Sequence, residues 1–333
     1  RPVGNVHRDD GIWLACADDG RGRADRVGKL GLCCPATGNR EGQGAMAILT
    51  DDDRRFFREN GYLHVRGVVP PENCRAVIDL IYRFLGFDPD KPSDWYRLPL
   101  QRGGMLEVYQ QPEMWENRQH PRMHALFAEI YGTERLHVSF DRVNFNPPVH
   151  PDHPEYDHPG MLHWDIDPAT AHVAPFRVQG VLYLDQTPAE RGGFCCVPGH
   201  HELITRWAAS GEAVPGMPRP GGRSPAVLSE INAVPVVGDA GDMVIWDTRL
   251  LHGNGRNVSD RPRLAQYITM WPAVDDPSAI AERVRCWRDR AAWDAEWVLG
   301  DPRQWERDHG TTAPLTQLGR RLLGAEAWPD DVA

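Results

Sequence analysis

The first regular pattern of apolar and polar residues begins near Thr50 and predicts a helix, a strand and a second helix. Thr50 is a candidate N-cap for a helix whose first turn is acidic and which ends at Gly61, because glycine readily takes the left-handed C-cap conformation. The alternating residues 62–66 then predict a strand. A Pro-Pro-Glu sequence opens the next helix, at 70–85, whose apolar side chains recur on one stripe, and a further helix is predicted at 121–131.

Between Leu136 and Met270 the pattern changes to short apolar segments separated by glycine- and proline-rich turns. Many short strands without intervening helices predict a sandwich or barrel, and a jelly roll is the version with a ligand-sized interior. We therefore predict a mainly β fold with flanking helices around a double-stranded β-helix (jelly-roll, cupin-like) core at about 136–270, followed by a helical segment at 275–328. The strands are predicted near residues 136–146, 161–166, 177–185, 193–197, 233–237, 242–247 and 263–270.

Residues 1–45 lack the periodicity of the rest of the chain. They contain 9 of the 32 glycines and 7 basic against 6 acidic residues, so the net negative charge of the chain lies in the remainder. We expect them to be an extension outside the folded part, either non-native sequence translated upstream of Met46 or a disordered arm with its own role. Residues 46–333 are then predicted to form a single domain. Within it, the polar, irregular stretch 88–118 predicts either a packed connection or a loop that covers substrate.

Composition and charge exclude several classes of protein. The net charge of −10 argues against a sequence-independent nucleic-acid binder, which needs a dense basic face, and against attraction to an anionic membrane surface. No apolar run approaches the roughly 20 residues of a membrane-spanning helix, and no secretory signal is evident. Seven cysteines without repeated Cys-x-x-Cys spacing predict a reduced, cytoplasmic protein. We expect a small-molecule substrate as its partner, and the sequence leaves the oligomeric state open.

A His-x-Asp pair in the segment Met161–Asp167 gives the first indication of chemistry. On a strand, His163 and Asp165 would point to the same face. With one further histidine they would form the two-histidine, one-carboxylate face that binds non-haem Fe(II) and leaves three coordination positions open. The same pattern also occurs at His7–Asp9 and His150–Asp152, so the pair alone is a weak signal.

Two more candidates follow the predicted strand at 242–247. His252 lies 89 residues beyond His163, a separation that facing strands of a jelly roll can bring together. Arg263 opens the next predicted strand, where its guanidinium could bind a carboxylate through two hydrogen bonds. Arg261 lies two positions earlier, and one of these two arginines is expected to be a surface residue.

Together these motifs resemble the phytanoyl-CoA dioxygenase family of Fe(II)- and 2-oxoglutarate-dependent oxygenases. The resemblance covers roughly Asp51 to Trp328, and the combination of spaced motifs makes it specific. The matching pieces are His163-Trp-Asp165, Gly192-Gly193 followed by Val197-Pro-Gly-His200, Gly241-Asp-Met, His252-Gly-Asn-Gly-Arg-Asn257 with Arg263, and the C-terminal segment 315–324.

The resemblance implies that His163, Asp165 and His252 bind Fe(II) and that Arg263 binds the distal carboxylate of 2-oxoglutarate. It places Asn254 where members of the family often have a serine near that carboxylate. With O₂ as the other co-substrate, turnover would release succinate and CO₂ and would hydroxylate or otherwise oxidise a small molecule. Halogenating relatives have a small residue at the Asp165 position, so an aspartate there favours hydroxylation.

Further candidates come from the predicted strands. Asn144 and Asn146 alternate with apolar residues where family members often place a polar side chain against the keto acid, although asparagines satisfied by the backbone at a strand edge would look the same. Gln179, Tyr183 and Tyr109 are candidate substrate contacts. The remaining histidines near the motifs are expected to be structural, on the substrate side or in loops: His150, His153, His158, His200 and His201.

The substrate itself cannot be read from the sequence. An acyl-CoA would need basic residues for its phosphates, and the only concentrated group is Arg283–Arg290, which could equally be a helix face. Two other classes of protein remain open. One is a zinc-dependent hydrolase that uses the same His/Asp/His site, although it would leave Arg263 unexplained. The other is a non-catalytic jelly-roll binding protein, against which the complete set of three ligands argues.

Overall fold

The computed structural model describes residues 47–97, 104–157, 162–210, 233–293 and 300–329, which form antiparallel strands flanked by helices. None of the helices in these ranges has the length and apolar character that a membrane span requires. The helices are α1 (Asp51–Asn60), α2 (Pro71–Leu85), α3 (Pro112–Arg118), α4 (Pro121–Tyr131), α5 (His200–Ser210), α6 (Pro277–Asp289), α7 (Trp305–His309) and α8 (Gln317–Leu323). The strands are β1 (Tyr62–Val65), β2 (Met105–Leu106), β3 (Leu136–Val138), β4 (Val143–Asn146), β5 (Val178–Tyr183), β6 (Phe194–Cys196), β7 (Val234–Pro235), β8 (Met243–Asp247), β9 (His252–Asn254), β10 (Arg263–Tyr267) and β11 (Met270–Pro272).

Helix α1 begins and ends as the sequence predicts. The Thr50 hydroxyl accepts the N–H of Asp53 at 3.1 Å, and the Asp53 carboxylate accepts the N–H of Thr50 at 2.9 Å, which is a capping box. Gly61 follows the helix with a φ of 78°, a left-handed conformation that costs glycine little. The chain can therefore turn directly into β1, which begins at Tyr62.

Strand β5 lies inside a six-stranded antiparallel sheet of order β1-β8-β5-β10-β4-β2. The register pairs Gln179 of β5 with Trp246 of β8, and Arg263 of β10 with Asn146 of β4. Two smaller sheets have the orders β7-β6-β9 and β11-β3. The register matters for function because it decides which polar side chains share one face of the large sheet.

The two faces of the six-stranded sheet bury different side chains, as the two-residue period of a strand requires. Leu182 and Ile245 belong to the cluster that also contains residues of α2 and α4. Val181 and Trp246, one position away on the same strands, pack instead with Phe194 of the three-stranded sheet. One face of the large sheet is therefore covered by helices and the other looks onto the small sheet. The helix residues in the first cluster include Val77, Leu80, Ile81, Met123, Leu126 and Phe127.

Several predicted strand boundaries are wrong. The predicted strand 136–146 is two strands, β3 and β4, and the predicted strand 263–270 is likewise divided into β10 and β11. The first interruption is marked by two consecutive polar residues, Asp141 and Arg142, whereas the second, at Ile268 and Thr269, carries no such mark. The predicted strand 233–237 shrinks to the two residues of β7.

The predicted strand 161–166 is also wrong within residues 162–166, and Met161 lies outside the described residues. His163 forms a single isolated bridge with His252, and the residues after it bend away. Strand β9 was not predicted, because the Gly-Asn-Gly that follows His252 is typical of a turn.

The irregular stretch 88–118 contains a 3₁₀ turn at Pro92–Tyr96, strand β2 and helix α3, with residues 98–103 outside the described part. Residues 104–118 are largely buried, which favours a packed connection there, whereas residues 88–93 are exposed. The buried Glu306 of α7 accepts the N–H groups of Tyr109 and Gln110 at 2.7 Å each. These hydrogen bonds join the C-terminal helices to the connection.

Residues 48–333 form one compact unit. The expected extension at 1–45 lies outside the described residues, so the proposed division of the chain remains a prediction.

Candidate metal centre

Backbone hydrogen bonds bring two histidines together from distant parts of the chain. The N–H of His163 donates to the carbonyl of His252 at 2.8 Å, and the N–H of His252 donates back at 3.1 Å. Their rings lie 4.6 Å apart between centroids. The bend after His163 then places Asp165 against both rings.

The side chains of His163, Asp165 and His252 offer three ligand atoms that lie within 4.8 Å of one another. Asp165 Oδ1 is 3.5 Å from His163 Nε2, and Asp165 Oδ2 is 3.3 Å from His252 Nε2. Two imidazole nitrogens and one carboxylate form the donor set of the open iron sites that bind a further ligand and O₂. Within the described ranges no other such cluster of histidine, cysteine and acidic residues occurs.

Neighbouring groups fix the orientation of the His252 ring. Its Nδ1 lies 3.0 Å from the carbonyl of Leu250, so this nitrogen carries the hydrogen and donates it, and the lone pair of Nε2 is left for a metal. The ring stacks on Phe194 at 5.7 Å and lies 4.9 Å from the Trp246 ring. Such packing reduces the freedom of the ligand before any metal binds.

The carboxyl group of Asp165 is held in its charged form. Burial alone would raise its pKa, but the interactions with the imidazoles of His252 and His163 have the larger effect and keep the pKa well below its usual range. The residue is therefore a carboxylate, the form that a metal binds.

A buried guanidinium lies on the face of the six-stranded sheet that packs against the three-stranded sheet. Arg263 is 1% exposed and donates to the side-chain oxygens of Asn144 at 2.9 Å and Asn254 at 3.1 Å. In the described part of the chain no carboxylate pairs with it, and its Nε has no hydrogen-bond partner. Because a buried charge without a counterion is costly, these residues fit a carboxylate ligand.

Two more polar side chains lie beside this guanidinium. Asn146 pairs with Arg263 in the register, and its side-chain oxygen has no hydrogen-bond partner. The Tyr267 hydroxyl lies 3.4 Å from both Arg263 Nη1 and Asn254 Nδ2. The sequence analysis missed Tyr267, although its position four residues after Arg263 on a strand places both on one face.

The three candidate substrate residues lie in different surroundings. Gln179 is on the inward face of β5, and its side-chain oxygen has no partner. The Tyr183 hydroxyl donates to the carbonyl of Val236 at 2.6 Å and accepts the N–H of Phe194 at 3.2 Å, which favours a structural role between the sheets.

Tyr109 is buried beside Glu107, and its hydroxyl donates to that carboxylate. Burial raises the Tyr109 pKa far above its usual range, and the charge of Glu107 adds to this effect. The hydroxyl therefore keeps its hydrogen. Both residues also line a cavity of about 300 Å³ bordered by Arg290 and Trp305. None of the three ligands lines this cavity. The substrate roles of Gln179, Tyr183 and Tyr109 stay predictions.

The other histidines lie apart from the three ligands. His200 stacks on Trp164, and burial lowers the pKa of His200 to about 4, so it is neutral at pH 7. His201 Nε2 contacts the carbonyl of Arg58 at 3.1 Å. His150 and His153 lie in the loop after β4, while His158 falls outside the described residues.

Two of the comparisons with known proteins name one family. The model described as phytanoyl-CoA dioxygenase (PhyH) matches residues 57–265, which include the three candidate ligands and Arg263. A Dictyostelium discoideum protein named "Putative phytanoyl-CoA dioxygenase" is 23% identical over 266 residues, covering 65% of this chain and 74% of that protein. "Ava biosynthesis cluster protein O" of Aspergillus versicolor is 25% identical over 248 residues, covering 66% and 77%. The structure of GlcNAc Inducible Gene 2 (GIG2, DUF1479) from Candida albicans shares the fold, with a TM-score of 0.64 at 12% identity over 86% of this chain and 79% of that chain.

Proposed function

The chain belongs to the phytanoyl-CoA dioxygenase family, and from that premise we propose that it hydroxylates, or otherwise oxidises, a small-molecule substrate with release of succinate and CO₂. It is an oxidoreductase whose metal is Fe(II) and whose co-substrates are 2-oxoglutarate and O₂. His163, Asp165 and His252 hold the metal in this proposal, and Arg263 holds the keto acid.

The observation that carries the proposal is that a metal site and a separate carboxylate-binding site occur in the same structure. The three ligands gather in one place, and Arg263 is buried on the inward face of the neighbouring sheet without an acidic partner among the described residues. A metal site alone would fit many hydrolases. A metal site with a separate carboxylate cradle fits a ligand that chelates at one end and carries a carboxylate at the other.

The metal and the residues around it have separate roles in this reaction. Bound Fe(II) supplies the open coordination positions at which the keto acid and O₂ react. Arg263, together with Asn144 and Asn254, orients the keto acid, because a charge-assisted pair fixes the direction of the carboxylate as well as its place. Asp165 and His252 are almost entirely shielded from solvent, which limits the access of water to the reacting groups.

Oxygen insertion is the favoured outcome because Asp165 occupies the position that halogenating relatives leave to a small residue. We expect a product heavier by one oxygen, or its dehydrated or desaturated counterpart. Replacing chloride by sulfate in the buffer should not change turnover. A chlorinated product would overturn this outcome while leaving the cofactor assignment intact.

We propose that the six-stranded and three-stranded sheets together form the jelly roll expected from the sequence. Its support is that Val181 and Trp246 of one sheet pack with Phe194 of the other, and that the bridge between His163 and His252 lies beside this cluster. A cytoplasmic location is likewise a proposal, supported by the free thiols of Cys74, Cys195, Cys196 and Cys286.

The alternative classes explain less of the structure. A zinc hydrolase using the same ligands gives no reason for the buried charge of Arg263, which no acidic residue in the described part of the chain balances. A non-catalytic binding protein gives no reason for the clustered ligands.

Metal analysis combined with a succinate assay tests the proposal. The purified protein should bind one Fe(II) per chain and release succinate from 2-oxoglutarate in an iron-dependent way, and Zn²⁺ should inhibit that release. Hydrolytic activity with Zn²⁺ and no succinate with Fe(II) would contradict the proposal.

A further inference from the structure

The short stretch that carries the aspartate ligand is not held by a strand. His163 forms the isolated bridge with His252, and the next regular element is the 3₁₀ turn Pro168–Thr170. Within the described part of the chain, the backbone N–H and C=O groups of residues 164–166 take part in no hydrogen bond. The place of Asp165 therefore depends on side chains.

The stretch is fixed again at Asp167. The side chain of Asp167 accepts the N–H of Ala169 at 2.9 Å, and its carbonyl accepts the N–H of Thr170 at 3.0 Å. Asp165 lies midway between this cap and the bridge at His163. A segment fixed only at its two ends keeps conformational freedom between them, and ordering it costs free energy when a ligand binds.

The side chains of the stretch are divided between the metal centre and helix α5. The carboxylate of Asp165 contacts the two histidine rings. Trp164 belongs instead to a separate apolar cluster with Ile204 and Trp207 of α5, and Ile166 packs against the same cluster. The residues on both sides of the aspartate ligand therefore join it to α5.

Trp164 has the larger buried side chain of these two neighbours. It is 7% exposed and stacks on the His200 ring, with centroids 6.0 Å apart and an angle of 21° between the planes. Its Nε1 has no hydrogen-bond partner among the described residues, so packing and stacking hold the indole. A rigid ring held in this way has few alternative positions.

Helix α5 is itself fixed against the end of helix α1. The N–H of Gly199 donates to the carbonyl of Asn60 at 3.0 Å, and His201 Nε2 lies 3.1 Å from the carbonyl of Arg58. Gly199 has a φ of 78°, a left-handed conformation that glycine takes readily just before the helix begins. The surface that receives Trp164 is thus joined to the rest of the fold.

We propose that Trp164 is a positioning residue of the metal centre: its packing on α5 holds Asp165 where the carboxylate completes the set of three ligands. Trp164 acts through Asp165 and is not itself a ligand. The inference rests on the proposed function, since it concerns the same Fe(II) site. Residues that orient a metal ligand typically change metal affinity about 10- to 100-fold when they are replaced.

The test measures the dissociation constant of Fe(II) for the metal-free full chain, without O₂ or keto acid, at a temperature where circular dichroism shows every variant folded. Trp164→Leu should raise this constant about 10- to 100-fold. Trp164→Phe keeps a rigid ring for the stack and should recover most of the affinity. Trp207→Leu is the matched control, because Trp207 is 5% exposed in the same cluster but is not next to a ligand. It should change the constant less than about threefold.

A double-mutant cycle shows through which residue Trp164 acts. In a chain that already carries Asp165→Ala, Trp164→Leu should weaken Fe(II) binding less than about twofold further, since the ligand it positions is gone. If Asp165→Ala binds Fe(II) too weakly for titration, the visible spectrum of the Co(II) form decides. At saturating Co(II), Trp164→Leu should change the band positions and intensities that report ligand geometry, whereas Trp207→Leu should leave them as in the wild type.

The possible results separate this inference from the proposed function. It is overturned if folded Trp164→Leu keeps the wild-type Fe(II) affinity and Co(II) spectrum, if Trp207→Leu weakens Fe(II) binding as much, or if the effect of Trp164→Leu persists without Asp165. If Trp164→Leu does not fold, Trp164→Met takes its place, because methionine fills the apolar site with a flexible side chain. A wild type that binds no Fe(II), or an Asp165→Ala variant that binds it as tightly as the wild type, would instead contradict the proposed function.

Discussion

At the scale of single residues, the proposed keto-acid site rests on the burial of the Arg263 guanidinium. The sequence predicted Arg263 for this role and noted that one of the two nearby arginines, Arg261 or Arg263, must lie at the surface. Burial decides between them: Arg263, the first residue of β10, is 1% exposed, whereas Arg261 precedes the strand and is exposed to solvent.

Arg263→Ala should raise the half-saturating concentration of 2-oxoglutarate at least about 30-fold. The change removes a charge-assisted pair from a buried site, which costs on the order of 2–5 kcal/mol of binding. Succinate formation at varied 2-oxoglutarate measures the effect. Arg261→Ala is the matched control and should change this concentration less than about twofold, and the opposite assignment of the two effects would contradict the account.

At the scale of the elements, the site depends on how strands and helices are joined. The helix ends followed from caps and glycines that act locally, so they could be predicted from Thr50 and Gly61. The meeting of His163 with His252 could not, because a backbone bridge between segments 89 residues apart depends on the packing of the whole sheet. Only the resemblance of the motifs to a family predicted that these residues would come together.

Tyr183→Phe should lower the free energy of unfolding by about 1–3 kcal/mol and leave substrate affinity unchanged. The hydroxyl joins β5 to the backbone of Val236 and Phe194, and its loss leaves a buried carbonyl and a buried N–H without this partner. Urea unfolding measures the cost. A change in substrate affinity at unchanged stability would restore the substrate role that the sequence suggested.

Glu306 of α7 should make stability depend on pH. Burial raises the pKa of this carboxyl from its ordinary 4.5 to about 7, despite hydrogen bonds that lower it. The folded protein therefore holds a proton that the unfolded chain releases, and stability falls as the pH rises from about 4.5 to about 7. Glu306→Gln should reduce the loss between pH 5 and pH 8 by at most about 3 kcal/mol, as read from urea unfolding. The exposed Glu116→Gln is the control, and an unchanged pH dependence in Glu306→Gln would disprove this role.

At the scale of the whole molecule, the arrangement of strands and helices and the family could be predicted from the sequence, but the ends of individual strands could not. The antiparallel strands flanked by helices followed from short apolar runs and turn residues, and the family followed from motifs with fixed spacing. The breaks between β3 and β4 and between β10 and β11 did not, because pairing partners rather than local sequence set where a strand stops. The substrate also escaped prediction, since it depends on a few side chains rather than on the fold.

Removal of residues 1–45 should leave the folded unit intact. A chain beginning at Met46 keeps the backbone N–H groups of Ile48 and Leu49 that donate to the Glu129 carboxylate at 2.7 and 3.1 Å. Its melting temperature should stay within about 2 °C of the full chain, as contacts worth less than about 1 kcal/mol would be lost. A fall of several degrees by calorimetry would show that the removed segment stabilises the fold.

The most direct test of the central claim is the absorption spectrum of the protein with Fe(II) and 2-oxoglutarate in the absence of O₂. A keto acid chelated to Fe(II) at the three-residue site should give a visible charge-transfer band. The account predicts this band for the wild type and for His153→Ala, which changes a histidine of the loop after β4. It predicts loss of the band in His163→Ala and in His252→Ala. A band of wild-type strength in both of these variants would contradict the assignment of the metal centre.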